Sequence, residues 1–193
     1  VTLVAGFGHD PVGVQVASDL KNNGVDIEYA VRDGITKTGF SIVLIKDDGQ
    51  RSFLVGSGEG NVDISVDQVP LELLEQTKAV SIGSLFFMKK LDGAGAAELF
   101  KRARAKGVLT FADMTADAYG IGPDGIAEIY PYTDYMMPSY EEAVYVTGEN
   151  EPEKIADYFL ERGVGTCVIK MGDKGCFLKS GDRSFSVAAY QVE

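Results

Sequence analysis

The chain has 193 residues and a mass of 20.7 kDa, with 45% hydrophobic and 24% charged residues. That is enough for a full apolar core and far from the profile of a disordered or disulfide-propped chain. Eighteen basic against 29 acidic residues give a net charge of −11, the wrong sign for gathering the phosphates of a nucleic acid. No apolar run approaches the length of a bilayer span, and a single histidine, His9, excludes a metal site that needs two imidazoles. Cys167 and Cys176 lie in apolar segments and read as buried thiols of a reducing compartment. The expectation is a soluble, cytoplasmic protein with neither nucleic acid nor membrane as partner.

In chain order, an apolar run over 1–8 ends in Gly6-Phe7-Gly8, and 12–23 takes up helical spacing that stops at Asn23-Gly24. Segments 27–31, 38–46 and 51–56 are β-branched and aromatic, with Asp47-Asp48-Gly49-Gln50 as a hairpin turn. They predict an antiparallel insert. After a short acidic helix near 70–76 come a strand over 79–82, a helix over 94–105 and a strand over 108–112. A Gly-rich irregular stretch leads to a strand over 134–137, helices over 140–146 and 152–162, and a strand over 166–171. Strands alternating with helices that end in glycine predict a mostly parallel sheet with helices on its faces. The chain then turns antiparallel through 176–178 and 184–188. Val1 opens inside one expected strand and Glu193 closes on another, which reads as the middle of a larger protein.

In open parallel sheets, ligands collect at the carboxyl ends of the strands. Asp113 follows the strand over 108–112, where a carboxylate can hold magnesium or its water shell, or simply cap a turn. Ser139-Tyr140-Glu141-Glu142 opens a helix: Glu142 can point at a metal or phosphate, yet Ser with Glu three residues on is also a capping box. Lys170-Met171-Gly172-Asp173-Lys174-Gly175 leaves backbone amides and a lysine free to meet a phosphate, or forms a plain hairpin. These candidates fall on one edge of one sheet. Gly6-Phe7-Gly8 fails as a dinucleotide fingerprint because Pro11 stands where the third glycine belongs. Gly93-Ala94-Gly95-Ala96 reads as a structural helix start, and Phe86, Phe87 and Met88 as core.

The order of these motifs resembles the ribokinase-like (PfkB) carbohydrate kinases. Gly6-Phe7-Gly8-His9-Asp10-Pro11-Val12-Gly13 is similar to that family's G-x-G-x-D-x-x-G stretch. Asn23-Gly24-Val25-Asp26, Thr38-Gly39 and Asp48-Gly49-Gln50-Arg51 through Gly60-Asn61 resemble the segment around its β lid. Asp113 resembles the aspartate of D-x-N, Ser139 to Glu142 the N-x-x-E motif, and Lys170 to Gly175 the nucleotide-binding turn. The resemblance implies one α/β domain over 1–193, incomplete at both ends, with an antiparallel lid within 27–57. It also implies transfer of the γ-phosphoryl group of ATP to a sugar hydroxyl with Mg2+. In that reading Ser139, Lys170, Gly172 and Gly175 bind nucleotide, Glu142 and Asp113 serve the metal, and Ser84 is the candidate for the sugar. The lid covers the sugar and pairs two subunits into a homodimer.

Three departures stand out. Ser139 replaces the usual Asn, and Met114-Thr115 stand where a residue and then Asn are usual. The G-x-G-D motif with its catalytic aspartate belongs beyond Val192-Glu193, and the glycine-rich sugar motif belongs before Val1. The competing reading is a non-catalytic, kinase-like module that binds a sugar or nucleotide.

Overall fold

The structure, a computed structural model, describes residues 1–32, 37–47, 49–55 and 63–191. The chain divides into two compact units, Val1–Pro70 and Leu71–Glu193.

In the first unit, α1 (Pro11–Asn22) begins with Pro at its first turn and Asp10 as its cap, whose carboxylate accepts the Gly13 amide at 2.8 Å. The second Asp10 oxygen accepts the Thr38 amide at 2.7 Å. The amides of Gly13 and Thr38 hold this carboxyl below its ordinary range. A methyl on Gly13 would strike the Gly8 carbonyl and stand 2.6 Å from Thr38 Oγ1. The G-x-G-x-D-x-x-G stretch is thus a helix start packed against the backbone that leads into it.

The segment 27–31 departs from expectation. It is not a continuous strand: the Ala30 amide donates to the Ile27 carbonyl in a turn, and only the isolated bridges Thr2/Asp26 and Gly6/Val31 tie the segment parallel to the chain start. The antiparallel insert is therefore narrower: β1 (Ser41–Ile45) pairs with β2 (Arg51–Val55), Ser41 opposite Val55 and Ile45 opposite Arg51. Asp48 of the expected turn, Gly56 and Gly60-Asn61 lie outside the described residues. Ile42, Leu44, Phe53 and Leu54 are all exposed.

The second unit is built on six strands: β3 (Ala79–Leu85), β4 (Leu109–Met114), β5 (Tyr135–Met136), β6 (Thr166–Lys170), β7 (Cys176–Ser180) and β8 (Arg183–Val187), side by side in that order. The first four are parallel and the last two antiparallel. The helices are α2 (Ala94–Ala105), α3 (Tyr140–Thr147) and α4 (Pro152–Leu160). Helix α2 packs on β3 and β4, and α4 on β6 and β7. Beneath them Ile82, Thr110, Ala112, Met136, Cys167 and Ile169 are buried. Burial pushes the Cys167 thiol up to about 12. The alternate residues stay open: Leu109 is 46%, Phe185 54% and Val187 49% exposed. Among the described residues no helix is long and apolar enough to cross a membrane.

Three details differ from the sequence reading. β3 continues through Ser84 to Leu85, with a register shift after Ile82. The Gly-rich stretch before β5 contains a 3-10 helix, Pro123–Tyr132. The turn expected over 170–175 coils into a 3-10 turn at 172–174, which sets Cys176 opposite Lys170 and Cys167 opposite Lys179, so the thiols are not opposite each other.

Candidate active site

The register of the sheet brings the candidates together. Between the pairs Ile82/Ala112 and Leu85/Met114, two β3 residues, Gly83 and Ser84, oppose one β4 residue, Asp113. Ser84 therefore lies inside the strand, half-buried, beside Asp113. Lys170, the last residue of β6, bridges to Ser139, and its amide donates to the Pro138 carbonyl at 2.9 Å. Its Nζ lies 2.5 Å from Asp113 Oδ2, while Asp113 Oδ1 accepts the Met114 amide at 2.9 Å. Both carboxylate oxygens are engaged.

Ser139 caps α3. Its Oγ accepts the Glu142 amide at 3.3 Å and its own amide donates to Glu142 Oε2 at 2.7 Å, so the capping box is formed in both directions. Glu142 Oε1 has no hydrogen-bond partner among the described residues and is free for a second task. Beyond Lys170, a methyl on Gly172 would meet open space, whereas one on Gly175 would collide with the backbone of 187–189. Gly172 is thus the open side of the turn and Gly175 the packed side.

Mg2+ is bound through one or two carboxylates, phosphates and water. Among the described residues no three His, Cys, Asp or Glu side chains gather as a metal cluster. Glu142, with one oxygen free, fits such a partial donor set. Asp113, held by Lys170 and Met114, does not.

The sequence reading missed the clasp beside this edge. Phe86 is fully buried with φ of 76°, a backbone region costly for a side chain that size. Its ring meets the edge of Tyr145, whose hydroxyl donates to Asp117 Oδ2 at 2.8 Å. Asp117 also accepts the amides of Ile121 and Gly122 at 2.9 and 2.8 Å. Nothing in a phenylalanine announces positive φ, but an aspartate followed by Gly120 and Gly122 was a readable turn signal. Partial burial works against the Asp117 anion, yet the Gly122 and Ile121 amides and the Tyr145 hydroxyl outweigh it, and the carboxyl titrates below its ordinary 3.8. A lowered carboxyl stabilises the fold above the unfolded value and loses that contribution as pH falls through the folded one. Protection of the Ile121 and Gly122 amides from hydrogen exchange should therefore persist down to about pH 4 and collapse below it. Tyr145→Phe should move that collapse upward, as NMR exchange across pH would record.

A family model described as pfkB family carbohydrate kinase matches residues 1–193, and the chain belongs to that family. It is 25% identical over 197 residues to fructokinase-2 of Zea mays, covering 98% of this chain and 59% of that protein. To the ribokinase of Staphylococcus aureus it is 26% identical over 198 residues, covering 99% and 62%. The chain spans about three-fifths of the length of these curated relatives. Among solved structures, the PfkB protein from Polaromonas sp. JS666 superposes with a TM-score of 0.80 at 21% identity, over 100% of this chain and 67% of that one. An E. coli protein solved in complex with ATP and Mg2+ gives 0.78 at 24% identity, over 100% and 63%. The fold is ribokinase-like: a mixed sheet of six strands flanked by helices, with a small antiparallel sheet.

Proposed function

We propose that these residues belong to an ATP-dependent sugar kinase that transfers the γ-phosphoryl group to a carbohydrate hydroxyl. The observation that carries the reading is the meeting of Lys170, Asp113 and the Ser139/Glu142 helix start at the strand ends, one residue before the open Gly172 turn. Lys170, Gly172 and Ser139 face the nucleotide, Gly175 shapes the turn, Ser84 serves the sugar, and Glu142 would help to hold Mg2+ with the carboxylate oxygen that its capping box leaves free. Bound Mg2+ would neutralise charge on the transferring phosphoryl group. No residue of this chain is assigned as the catalytic base. The two compact units belong, in this reading, to one kinase domain working in the cytoplasm.

The test is ADP release by the natural full-length protein with ATP, Mg2+ and a panel of hexoses, pentoses and nucleosides. Turnover on one of them is expected. Tight ATP binding without turnover on any would overturn the kinase assignment in favour of a binding module.

The same reading includes a homodimer through β1 and β2. A two-stranded ribbon is marginal by itself, and this one carries Ile42, Leu44 and Leu54 exposed on one face, an apolar patch of the kind that marks an interface. Sedimentation should give twice the chain mass, and Ile42→Glu with Leu44→Glu should return it to the monomer.

A further inference from the structure

Adjacent strands stand about 4.8 Å apart, so β4 and β6, with β5 between them, are separated by roughly 10 Å. β5 contributes only Tyr135 and Met136 to the ladder, and the ends of its neighbours overlook 137–139. Asp113 follows Phe111 by two residues and Lys170 follows Val168 by two, so both side chains leave the same side of the sheet. The lysine is laid across the gap, and the two meet as an ion pair at 2.5 Å.

Stability does not account for this arrangement. The lysine side chain is 47% exposed and the carboxylate 28%, and pairs so open to solvent contribute little to folding. What the pair fixes is a position: one ammonium held over the strand ends, at the mouth of the Gly172 turn. An ammonium has three N–H donors, and a single carboxylate oxygen leaves the others for an incoming anion.

We propose that Asp113 is a positioning residue that holds the Lys170 ammonium ready for the polyphosphate of a nucleotide, and that it is not a metal ligand. The proposal rests on the kinase reading above and differs from the metal role that the family resemblance implies for Asp113. Removing the aspartate would free the lysine to sample solvent, and affinity for the anion would fall although a negative charge had been taken away. A metal ligand behaves in the opposite sense: its loss leaves nucleotide binding without metal unchanged or stronger.

The experiment is calorimetric titration of the natural full-length protein with ATP in EDTA, for wild type, Asp113→Asn, Lys170→Met and the double variant. Mn2+ affinity of each ATP complex is read by electron paramagnetic resonance. Expected are losses of about tenfold in metal-free ATP affinity for either single variant and no further loss in the double, the signature of coupled groups. Mn2+ affinity of the Asp113→Asn complex should stay at the wild-type value. Metal-free binding by Asp113→Asn as tight as wild type, additive losses, or a fall in Mn2+ affinity would each overturn the proposal and leave the kinase reading standing. A wild type that binds no ATP with or without metal overturns both. If Asp113→Asn does not fold, Asp113→Glu keeps the charge but displaces the ammonium by one methylene. The same weakening is then expected, and unchanged binding overturns the assignment.

Discussion

Gly175→Ala is expected to destabilise the second unit by about 3 kcal/mol or more, a fall of roughly 10 °C in Tm for a chain of this size. Gly175 has φ of 86° and ψ of −131°, a conformation reserved almost entirely for glycine. A methyl there would collide with the Val187 carbonyl and stand 2.7 Å from the Ala189 nitrogen and 2.8 Å from the Ala188 carbonyl carbon. These are backbone atoms and cannot rotate away. Gly172→Ala supplies the contrast. Its φ of 60° carries a cost of about 1 kcal/mol, but its methyl enters open space. In that variant nucleotide affinity should fall more than stability. Thermal unfolding by circular dichroism beside ATP titration separates the two, and an unshifted Tm for Gly175→Ala would refute the packed-turn account.

Glu142→Gln should lower kcat by about 10- to 100-fold, with a change in sugar KM below about twofold. The substitution is informative because glutamine also completes a capping box. The bond from the Ser139 amide, 2.7 Å long to Glu142 Oε2, can form to the amide oxygen of glutamine, so α3 should keep its start and the protein its Tm. What disappears is the charge on the free oxygen. Glu142→Ala, in contrast, removes the box and should cost about 0.5–2 kcal/mol. Full-length enzyme assayed across Mg2+ concentrations settles the matter. If Glu142→Gln turns over like wild type, Glu142 is a cap and nothing more.

The layered α/β plan was legible because glycines at the helix ends and β-branched runs between them repeat in order. The positions of Asp113, Ser139 and Lys170 followed from strand ends alone. Their contact did not, since 57 residues separate Asp113 from Lys170 and neither charge carries a sign of its partner. β3 looked complete at Ile82 because Gly83 and Ser84 are poor strand formers. The chain stays in the sheet because the Thr115 amide donates to the Leu85 carbonyl beyond the bulge. Segment 27–31 had the right residues for a strand, but a turn closed by the Ala30 amide on the Ile27 carbonyl breaks it into isolated bridges. The 3-10 helix over Pro123–Tyr132 was hidden by its own Gly and Pro.

The shortness of β5 bears on how the second unit assembles. Each ladder across the middle of the sheet rests on two residue pairs, Phe111/Tyr135 and Ala112/Met136 on one side, Tyr135/Thr166 and Met136/Cys167 on the other. The flanking groups close on themselves: β3, α2 and β4 as one, and α4 with the β6–β7–β8 meander as another. Each can form from contacts near in sequence, which is the fast kind. The joint between them is closed by side chains as well as by the ladder: the Thr110 amide and hydroxyl both donate to Asp134 Oδ2. Because Asp113 and Lys170 stand on opposite sides of that joint, their ion pair is completed only when the two halves dock.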